Sequence, residues 1–384
     1  GTFPLTKSGA DNVRDVDSGT NPSPAGTWAN MILANMGIIG AGVIGACTAF
    51  EFAKAGRKTL SIDKLPESGY GSTSASCAII RTYYSAFETC ALACEGWYYW
   101  KNWEKYLGEK FRGQPVKYHD IGCLVIKTDH NKNLSEVCQT MDKLDCPYEH
   151  LEPQDIPKIL KGSVVNRFEP AKTIQEDGFG LPTGKSVNGA VFFPRGGYVS
   201  DPKLSAVNAQ EAAEACGAEF RFNSEVSEIS QENGEVTGVV LATGEKIKSN
   251  VVINIAGPHS FKINEMAGGA ENMNISTKAL RHEVAHVPAP EDMNYERGGV
   301  IYSDSDIATY ARPEVGNHIL IGSEDPQCDI KEWVSDPDNF NTEFSDQWKT
   351  MVMRLAQRLP NLGIPEHAKG VVSLYDVSDD WMPI

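Results

Sequence analysis

The chain has 384 residues, 41% of them hydrophobic and 22% charged, and its formal net charge is −16. This composition is that of a folded globular protein, and the length favours two domains over a single core. The negative charge disfavours nucleic acid and anionic membrane surfaces as partners, and no apolar run approaches the roughly 20 residues that a membrane span needs.

Nine cysteines are scattered along the sequence without a Cys-x-x-Cys pair. This pattern argues against a zinc site, and we predict no metal. It favours a reducing compartment, which we take to be the cytoplasm, with the mitochondrial matrix as the alternative. Residues 1–30 are rich in small polar residues and lack periodicity, so we expect a flexible leader without the features of a targeting signal.

The first predicted elements are an apolar strand at 31–39, a helix at 46–55 and a second strand at 58–62. A glycine turn separates the first strand from the helix. Gly40 permits the tight turn, Gly42 lets the backbone approach a pyrophosphate, and Gly45 lets the helix pack closely on the sheet. The helix N-terminus offers free N–H groups to the diphosphate. We therefore predict that the whole turn contacts a dinucleotide: Gly40-Ala41-Gly42-Val43-Ile44-Gly45.

An acid follows the second strand at the spacing that a ribose contact requires. Asp63 lies 23 residues after Gly40. A carboxylate there can accept hydrogen bonds from ribose hydroxyls and disfavours a 2′-phosphate. An ordinary strand-end acid is the alternative interpretation. We include the adjacent Lys64 among the predicted cofactor contacts.

The stretch at 71–81 is small and rich in hydroxyl groups, where a nicotinamide-binding fold would have a regular crossover helix. It therefore favours FAD over NAD. The predicted cofactor contacts in this stretch are Gly71, Ser72, Thr73, Ser76 and Cys77.

Three later blocks accompany this stretch in order. They are the glycine-rich turn Phe193–Pro202, the strand at Glu225-Val226, and the strand end Asn254–Ser260, which contains Ala256 and Gly257. Together the blocks resemble the D-amino acid oxidase superfamily of flavoenzymes, in particular its sarcosine oxidase and dimethylglycine dehydrogenase branch. The resemblance implies that Val226 contacts adenine through its backbone and that Ala256 and Gly257 lie near the dinucleotide.

The resemblance extends over residues 31–384 and implies an α/β (α+β) fold. The expected architecture is a Rossmann-like FAD-binding domain of the glutathione reductase type, with an inserted substrate domain built on a mostly antiparallel sheet. The FAD-binding domain would comprise residues 31–116, 196–268 and 346–384. The substrate-binding domain would comprise residues 117–195 and 269–345.

The resemblance also implies an activity, the oxidation of the C–N bond of an amino acid or N-methyl amino acid. In that family the flavin N5 takes a hydride from the carbon beside the nitrogen, and water hydrolyses the resulting imine. The partners would be this small substrate and O₂ or another electron acceptor, and an oligomer is compatible with the sequence. A structural or assembly FAD protein without turnover and a flavin 2-hydroxy-acid dehydrogenase are the alternatives.

Five residues are candidates for the substrate side of the site. Arg81 offers a guanidinium fork to a substrate carboxylate, and Tyr84 would share its face if a helix starts there. His282 could move a proton near the flavin. The other candidates are Tyr302, on a predicted strand of the substrate domain, and Tyr375. The alternatives are a structural role for Arg81 and His282 and core packing for Tyr84. Arg312 is interpreted as a sheet-edge charge or an anion contact.

The sequence departs from the resembled family at three places. Ser373 and Ala75 stand where relatives carry the cysteine or histidine that links to flavin, so we predict non-covalent FAD. Leu320 stands where sarcosine oxidases carry a lysine that attracts O₂, which makes another acceptor plausible. The sequence also stops where the family continues into a strand, a glycine-rich turn and a last helix, a segment expected to carry further site residues.

Overall fold

The computed structural model describes residues 32–129, 131 and 134–381, so the predicted leader at 1–30 lies outside them. The α-helices are α1 (Val43–Lys54), α2 (Phe87–Lys101), α3 (Trp103–Leu107), α4 (Leu134–Lys143), α5 (Ile156–Ile159), α6 (Pro202–Ala215), α7 (Ser260–Met266), α8 (Tyr295–Gly298) and α9 (Asp346–Arg358). The first ten strands are β1 (Ile32–Ala34), β2 (Met36–Ile39), β3 (Thr59–Ile62), β4 (Ile79–Arg81), β5 (Tyr118–Asp120), β6 (Cys123–Ile126), β7 (Glu149–Leu151), β8 (Ala190–Phe193), β9 (Gly196–Val199) and β10 (Glu219–Arg221). The others are β11 (Val226–Glu232), β12 (Glu235–Leu241), β13 (Lys246–Ser249), β14 (Val252–Asn254), β15 (Thr277–Pro288), β16 (Ile301–Asp304), β17 (Thr309–Glu314), β18 (His318–Ser323), β19 (Glu332–Val334) and β20 (Gly370–Ser378).

A parallel sheet with the order β10-β3-β2-β14 forms the dinucleotide-binding side. β2 lies between β3 and β14, with Ile38 opposite Ser61 on one side and Ile253 on the other. Alanines of α1 and α6 pack the two helices closely together in one core cluster: Ala46, Ala49, Ala53, Ala209, Ala212 and Ala213. Small side chains allow helix axes to approach closely, which explains the alanine-rich sequence of both helices.

A second sheet, β1-β13-β12-β11, flanks the first. Its β11, β12 and β13 form an antiparallel meander. Val226 at the start of β11 packs in a core cluster with Ile39 and Ile62, so this sheet is tied to the ends of β2 and β3.

The largest sheet has nine strands and carries the other half of the molecule. Its path is β19-β15-β18-β17-β16-β6-β8-β7, and β20 pairs with β15. Its pairs are antiparallel except for β16 with β6. α9 covers one face, where Trp348, Met351 and Leu355 join the main core cluster. The predicted fold, a Rossmann-like unit with a mostly antiparallel substrate sheet, is confirmed.

The C-terminal elements belong to this large sheet. The predicted FAD-binding domain includes residues 346–384, but β20 pairs with β15 of the large sheet, from Thr277↔Ser378 to Ala285↔Gly370, and α9 packs on β15, β17 and β18. β15 has 12 residues and is long enough to pair with all nine residues of β20, which satisfies the backbone groups along that edge of β20. The remaining domain boundaries stay a prediction.

A three-stranded sheet, β4-β9-β5, packs against both halves: Ile80 and Val199 join the core cluster of α1 and α6, and Ile79 and Tyr198 join the cluster that contains Val125 and Phe193. Gly197 of β9 is required there, because a Cβ at this position would lie 1.8 Å from the carbonyl oxygen of His119. Among the residues that the structure describes, no helix combines the length and the apolar character that a membrane crossing demands.

Candidate cofactor and substrate site

The glycine turn follows β2 at the centre of the parallel sheet. Gly40 has a φ of 104°, and a Cβ on it would lie 2.1 Å from the carbonyl oxygen of Ile255. A Cβ on Gly45 would lie 2.0 Å from the carbonyl oxygen of Gly40. Real side chains do not approach a backbone oxygen so closely. Both glycines are therefore required by the packing of α1 and of the segment after β14, in addition to the turn itself.

The first turn of α1 is open to an anion. Gly42 is the N-cap residue and has no side chain to cap the helix, and the first turn contains no acidic residue. Thr73, in the hydroxyl-rich stretch at 71–81, accepts a hydrogen bond from the backbone N–H of Val43 at 3.1 Å. Ile44 is 68% exposed, so it would serve the site through its backbone. The remaining first-turn N–H groups and the helix dipole suit a diphosphate.

Asp63 is held against the glycine turn. Its Oδ2 accepts a hydrogen bond from the N–H of Ala41 at 2.7 Å, and its Oδ1 accepts one from the N–H of Leu65 at 2.9 Å. These two bonds orient the carboxylate and leave further lone pairs for ribose hydroxyls. The contact with Ala41 is an additional role that the spacing alone did not indicate.

Lys64 and the segment at 256–259 lie on opposite sides of the turn. The Nζ atom of Lys64 lies 3.0 Å from Nε2 of His259. Ala256 caps a short 3₁₀ helix, and Gly257 has a φ of 54°. Val226 is buried in its core cluster, so only its backbone could contact a ligand.

The hydroxyl-rich stretch connects the glycine turn with the large sheet. Ser72 donates a hydrogen bond from Oγ to the carbonyl oxygen of Leu374 in β20 at 2.9 Å. Its neighbour Gly71 lies against Leu65, and Thr73 lies against Gly42. The hydroxyl of Ser76 accepts a hydrogen bond from the N–H of Ala78 at 2.9 Å. The stretch therefore lies between the two halves, as a loop beside a flavin would.

Arg312 anchors the end of this stretch. Its Nε donates to the carbonyl oxygen of Cys77 at 2.5 Å, and its guanidinium pairs with Glu314 at 2.9 Å and lies 4.4 Å from the ring centroid of Tyr198. Arg312 is 2% exposed. It is therefore neither a sheet-edge charge nor a free anion contact, since its hydrogen bonds hold the loop onto β17.

A histidine–tyrosine group lies next to Cys77. The hydroxyl of Tyr310 lies 3.7 Å from the Cys77 thiol and 3.2 Å from the hydroxyl of Tyr375. The ring of His282 lies 4.4 Å from that of Tyr375, and its Nε2 lies 3.2 Å from Oδ2 of Asp325. The phenol of Tyr375 keeps its proton at neutral pH, and enclosure by its neighbours raises its pKa further, to about 12, so it can both donate and accept a hydrogen bond.

Arg81 and Tyr84 form a second group. The guanidinium of Arg81 lies 4.3 Å from the ring centroid of Tyr84, although Tyr84 lies in a loop before α2 and not in a helix. The thiol of Cys90 holds that loop through contacts of 3.1 Å with the backbone N and O of Tyr84. Burial raises the pKa of the Glu324 carboxyl, and the charge of Arg81 acts in the opposite direction. The carboxylate of Glu324 accepts hydrogen bonds from the hydroxyls of Ser303 and Ser305.

Tyr302 is not brought to either group. It is fully buried in the core cluster beneath α9, opposite Ala311. Successive strand residues point to opposite faces, so Ser303 and its partner Tyr310 face the other way. The structure brings together His282 and Tyr375, two of the predicted candidates, and places beside them Tyr310 and Asp325, which were not among the candidates. Alternation along β17 places Tyr310 and Arg312 on one face and Ala311 on the other, but it does not say which face lines the site.

A glycine turn after β2, an acid after β3 and a large antiparallel sheet beside them define the class of dinucleotide-binding flavoenzymes. The family model "FAD dependent oxidoreductase" (DAO) matches residues 36–384. The chain belongs to this family. The predicted resemblance and the predicted FAD cofactor are thereby confirmed, and the protein is an enzyme. The glycine cradle and the open first turn of α1 fit the cofactor.

Known proteins agree with this assignment. The chain is 23% identical over 360 residues to glycine oxidase from Geobacillus kaustophilus. This match covers 88% of this chain and 86% of the relative. L-proline dehydrogenase from P. horikoshii has a TM-score of 0.73 at 19% identity, with 91% of this chain and 83% of that chain covered. L-α-glycerophosphate oxidase from Mycoplasma pneumoniae, solved with FAD bound, has a TM-score of 0.70 at 16% identity, with 91% and 84% covered. These likenesses show a shared fold.

Proposed function

We propose that the enzyme oxidises the C–N bond of a small amino acid or N-methyl amino acid. The observation that carries this proposal is the exposure of Arg81, which ends β4 after the hydroxyl-rich stretch at 71–81. Among the described residues no carboxylate forms an ion pair with it, unlike Arg281 or Arg312. A guanidinium available in this way can bind a substrate carboxylate with two parallel hydrogen bonds.

The remaining side chains can handle the amine. FAD, when bound, accepts a hydride from the carbon beside the substrate nitrogen. His282 directs Nε2 to Asp325, which leaves Nδ1 to take a proton from the amine. The hydroxyls of Tyr310 and Tyr375 remain neutral donors that can orient the substrate. The hydrogen bond from Arg312 to the carbonyl oxygen of Cys77 holds the end of the loop at 71–77 in place.

A panel of reductants tests the substrate class. Under anaerobic conditions, we expect glycine, sarcosine or proline to bleach the flavin absorbance near 450 nm, whereas methylamine, which lacks a carboxylate, should not. Bleaching by glycolate or glycerophosphate alone would favour the second candidate, a hydroxy-substrate dehydrogenase, whose support is the shared fold of L-α-glycerophosphate oxidase. A flavin that stays oxidised with every compound would indicate a structural flavoprotein. Readmission of air then tests whether O₂ is the electron acceptor, because it would reoxidise the bleached flavin quickly.

Replacing Arg81 with glutamine should weaken the use of the carboxylate substrate. A lost charge-assisted hydrogen-bond pair predicts a fall in kcat/KM of about 10- to 100-fold, mostly through KM. Arg57→Gln is the matched control, because Arg57 is exposed and lies beyond the C-terminal end of α1, whereas the glycine turn lies at its N-terminal end. Unchanged kinetics of Arg81→Gln on the best substrate would contradict the clamp.

We also propose that FAD is held without a covalent bond. Ser373 pairs opposite His282 in the sheet and, like Ala75, cannot form the linkages of the resembled relatives. Cys77 is the cysteine within the predicted flavin loop at 71–81, and burial raises its pKa, which disfavours the nucleophilic thiolate. After acid precipitation, all of the yellow colour should appear in the supernatant. Flavin that remains in the pellet of the wild type but not of Cys77→Ser would identify an unexpected link.

A further inference from the structure

Two side chains meet across the end of β2. Lys64 follows β3 and His259 follows β14, and these strands flank β2 on opposite sides. Neighbouring strands lie about 4.8 Å apart, so the ends of β3 and β14 are separated by about 10 Å. The Nζ of Lys64 nevertheless lies 3.0 Å from Nε2 of His259. The pair therefore spans the crevice that begins at Gly40.

Asp338 joins this pair from the large-sheet half. Its Oδ1 accepts a hydrogen bond from Lys64 and lies 3.0 Å from Nε2 of His259. Lys262, in the first turn of α7, pairs with Oδ1 of Asp336 at 2.7 Å and lies 3.7 Å from Oδ2 of Asp338. The loop between β19 and α9 thus places two carboxylates on three basic side chains beside the crevice.

The charge of Asp338 holds the pair together. Burial acts to raise the pKa of Asp338, but hydrogen bonds from Lys64 and His259 outweigh it and lower this pKa to about 2. The carboxylate is therefore ionised at every pH at which the protein would work. Burial lowers the pKa of His259, so a neutral ring can direct its Nε2 proton to Asp338 while Lys64 donates to the same carboxylate.

We propose that Asp338 is a positioning residue for the cofactor, which joins Lys64 and His259 into a bridge across the crevice and thereby slows the release of FAD. The inference rests on the proposed placement of FAD at the glycine turn. The side chain of Asp338 is 47% exposed, so the bridge is accessible to salt. Screening by salt weakens such surface pairs strongly, and the release rate should report this.

The test compares Asp338→Asn with Asp336→Asn in the holoenzyme, by the fluorescence of FAD released after dilution. Both changes remove one negative charge from the same loop. Asp336 pairs with Lys262 and not with Lys64 or His259, and its Oδ1 accepts a hydrogen bond from the N–H of Asp338 at 3.3 Å, which an asparagine oxygen can still accept. We expect Asp338→Asn to release FAD about two to five times faster, as the loss of an exposed pair permits. Asp336→Asn and the charge-retaining Asp338→Glu should release it near the wild-type rate. High salt should accelerate release from the wild type but not from Asp338→Asn.

Two outcomes would overturn the proposal. The first is a wild-type release rate and salt response for Asp338→Asn. The second is a lower unfolding temperature of the apoprotein for Asp338→Asn than for Asp336→Asn, since a general structural role would then explain the loss. If FAD binds elsewhere, Gly42→Val will also keep its flavin. If only the bridge is wrong, Gly42→Val will lose its flavin while Asp338→Asn behaves as the wild type.

Discussion

Replacing Gly42 with valine should yield a folded but colourless protein. A Cβ at Gly42 would meet a single atom, Thr73 Oγ1 at 3.1 Å, so a shift of the Thr73 side chain by a few tenths of an ångström, which lengthens its hydrogen bond from Val43, accommodates it in the fold. The two further methyl groups of valine would occupy the space above the first turn of α1, where the diphosphate would approach the backbone. The absorbance ratio at 450 and 280 nm of the purified protein measures the loss directly.

Gly96→Val is the matched control for this change. Gly96 lies within α2 and a Cβ there meets no atom within 4 Å, so the substitution alters the helix without touching the crevice. It should purify with the wild-type content of flavin. A Gly42→Val protein with full flavin content would contradict the placement of FAD at the turn.

Gly42 is the informative glycine of the turn because its neighbours have structural duties. Alanine at Gly40 or Gly45 would place a Cβ about 2 Å from a backbone oxygen. Such proteins would lose flavin through a disturbed sheet, and their loss of colour would say little about the cofactor. The side of Gly42 toward the crevice is open, so its substitution separates binding from folding.

The local features of the site were predictable from the sequence. The turn at 40–45 and Asp63 depend on strand, turn and helix signals within a short stretch, and the structure places them together through the bond from Ala41 to Asp63. The order of the later blocks was enough for the family and the fold. These signals survive in a single sequence because each depends on residues close along the chain.

The long-range contacts were not predictable in the same way. Arg312 reaches Cys77 from 235 residues away, and no local pattern identifies a carbonyl group as its partner. The choice between Tyr302 and Tyr310 depends on which face of the large sheet α9 covers, and period-two alternation leaves both faces open. The pairing of β20 with β15 likewise depends on tertiary packing.

Replacing Arg358 with methionine should destabilise the enzyme strongly. Its guanidinium is fully buried and bonds Oδ2 of Asp304 at 2.7 Å and Oδ2 of Asp306 at 2.9 Å. It also donates to the carbonyl oxygens of Val164 and Asn166. Removing one partner from a buried ion pair costs about 3 to 5 kcal/mol, because the remaining charges lose their compensation. Urea unfolding of the holoenzyme, followed by tryptophan fluorescence, measures the change.

Arg354→Met is the matched control on the same helix. Arg354 is also buried and pairs with Asp329 at 2.6 Å. Asp329 keeps hydrogen bonds from Ser323 and Gln347 at 2.6 Å each, and no second carboxylate shares its guanidinium among the described ion pairs. We therefore expect a smaller loss of stability. An equal loss for both variants would show that burial of arginine on α9, and not repulsion between two acids, dominates.

The pH dependence of the Arg358→Met defect distinguishes these causes further. Burial and the neighbouring Asp304 raise the pKa of Asp306 to about 6 in the intact protein. A carboxyl group with a higher pKa in the folded than in the unfolded state favours folding most below about pH 4, and this contribution is lost as the pH rises toward 6. Without the guanidinium the pKa of Asp306 must rise further, so in Arg358→Met this stabilising contribution is lost over a higher pH range.

The loss of stability in Arg358→Met should therefore be smaller at pH 5 than at pH 8, and the added change Asp306→Asn should restore part of the stability at pH 8. A defect that is equal at both pH values would mean that the lost hydrogen bonds to Val164 and Asn166, and not the two buried charges, account for the instability.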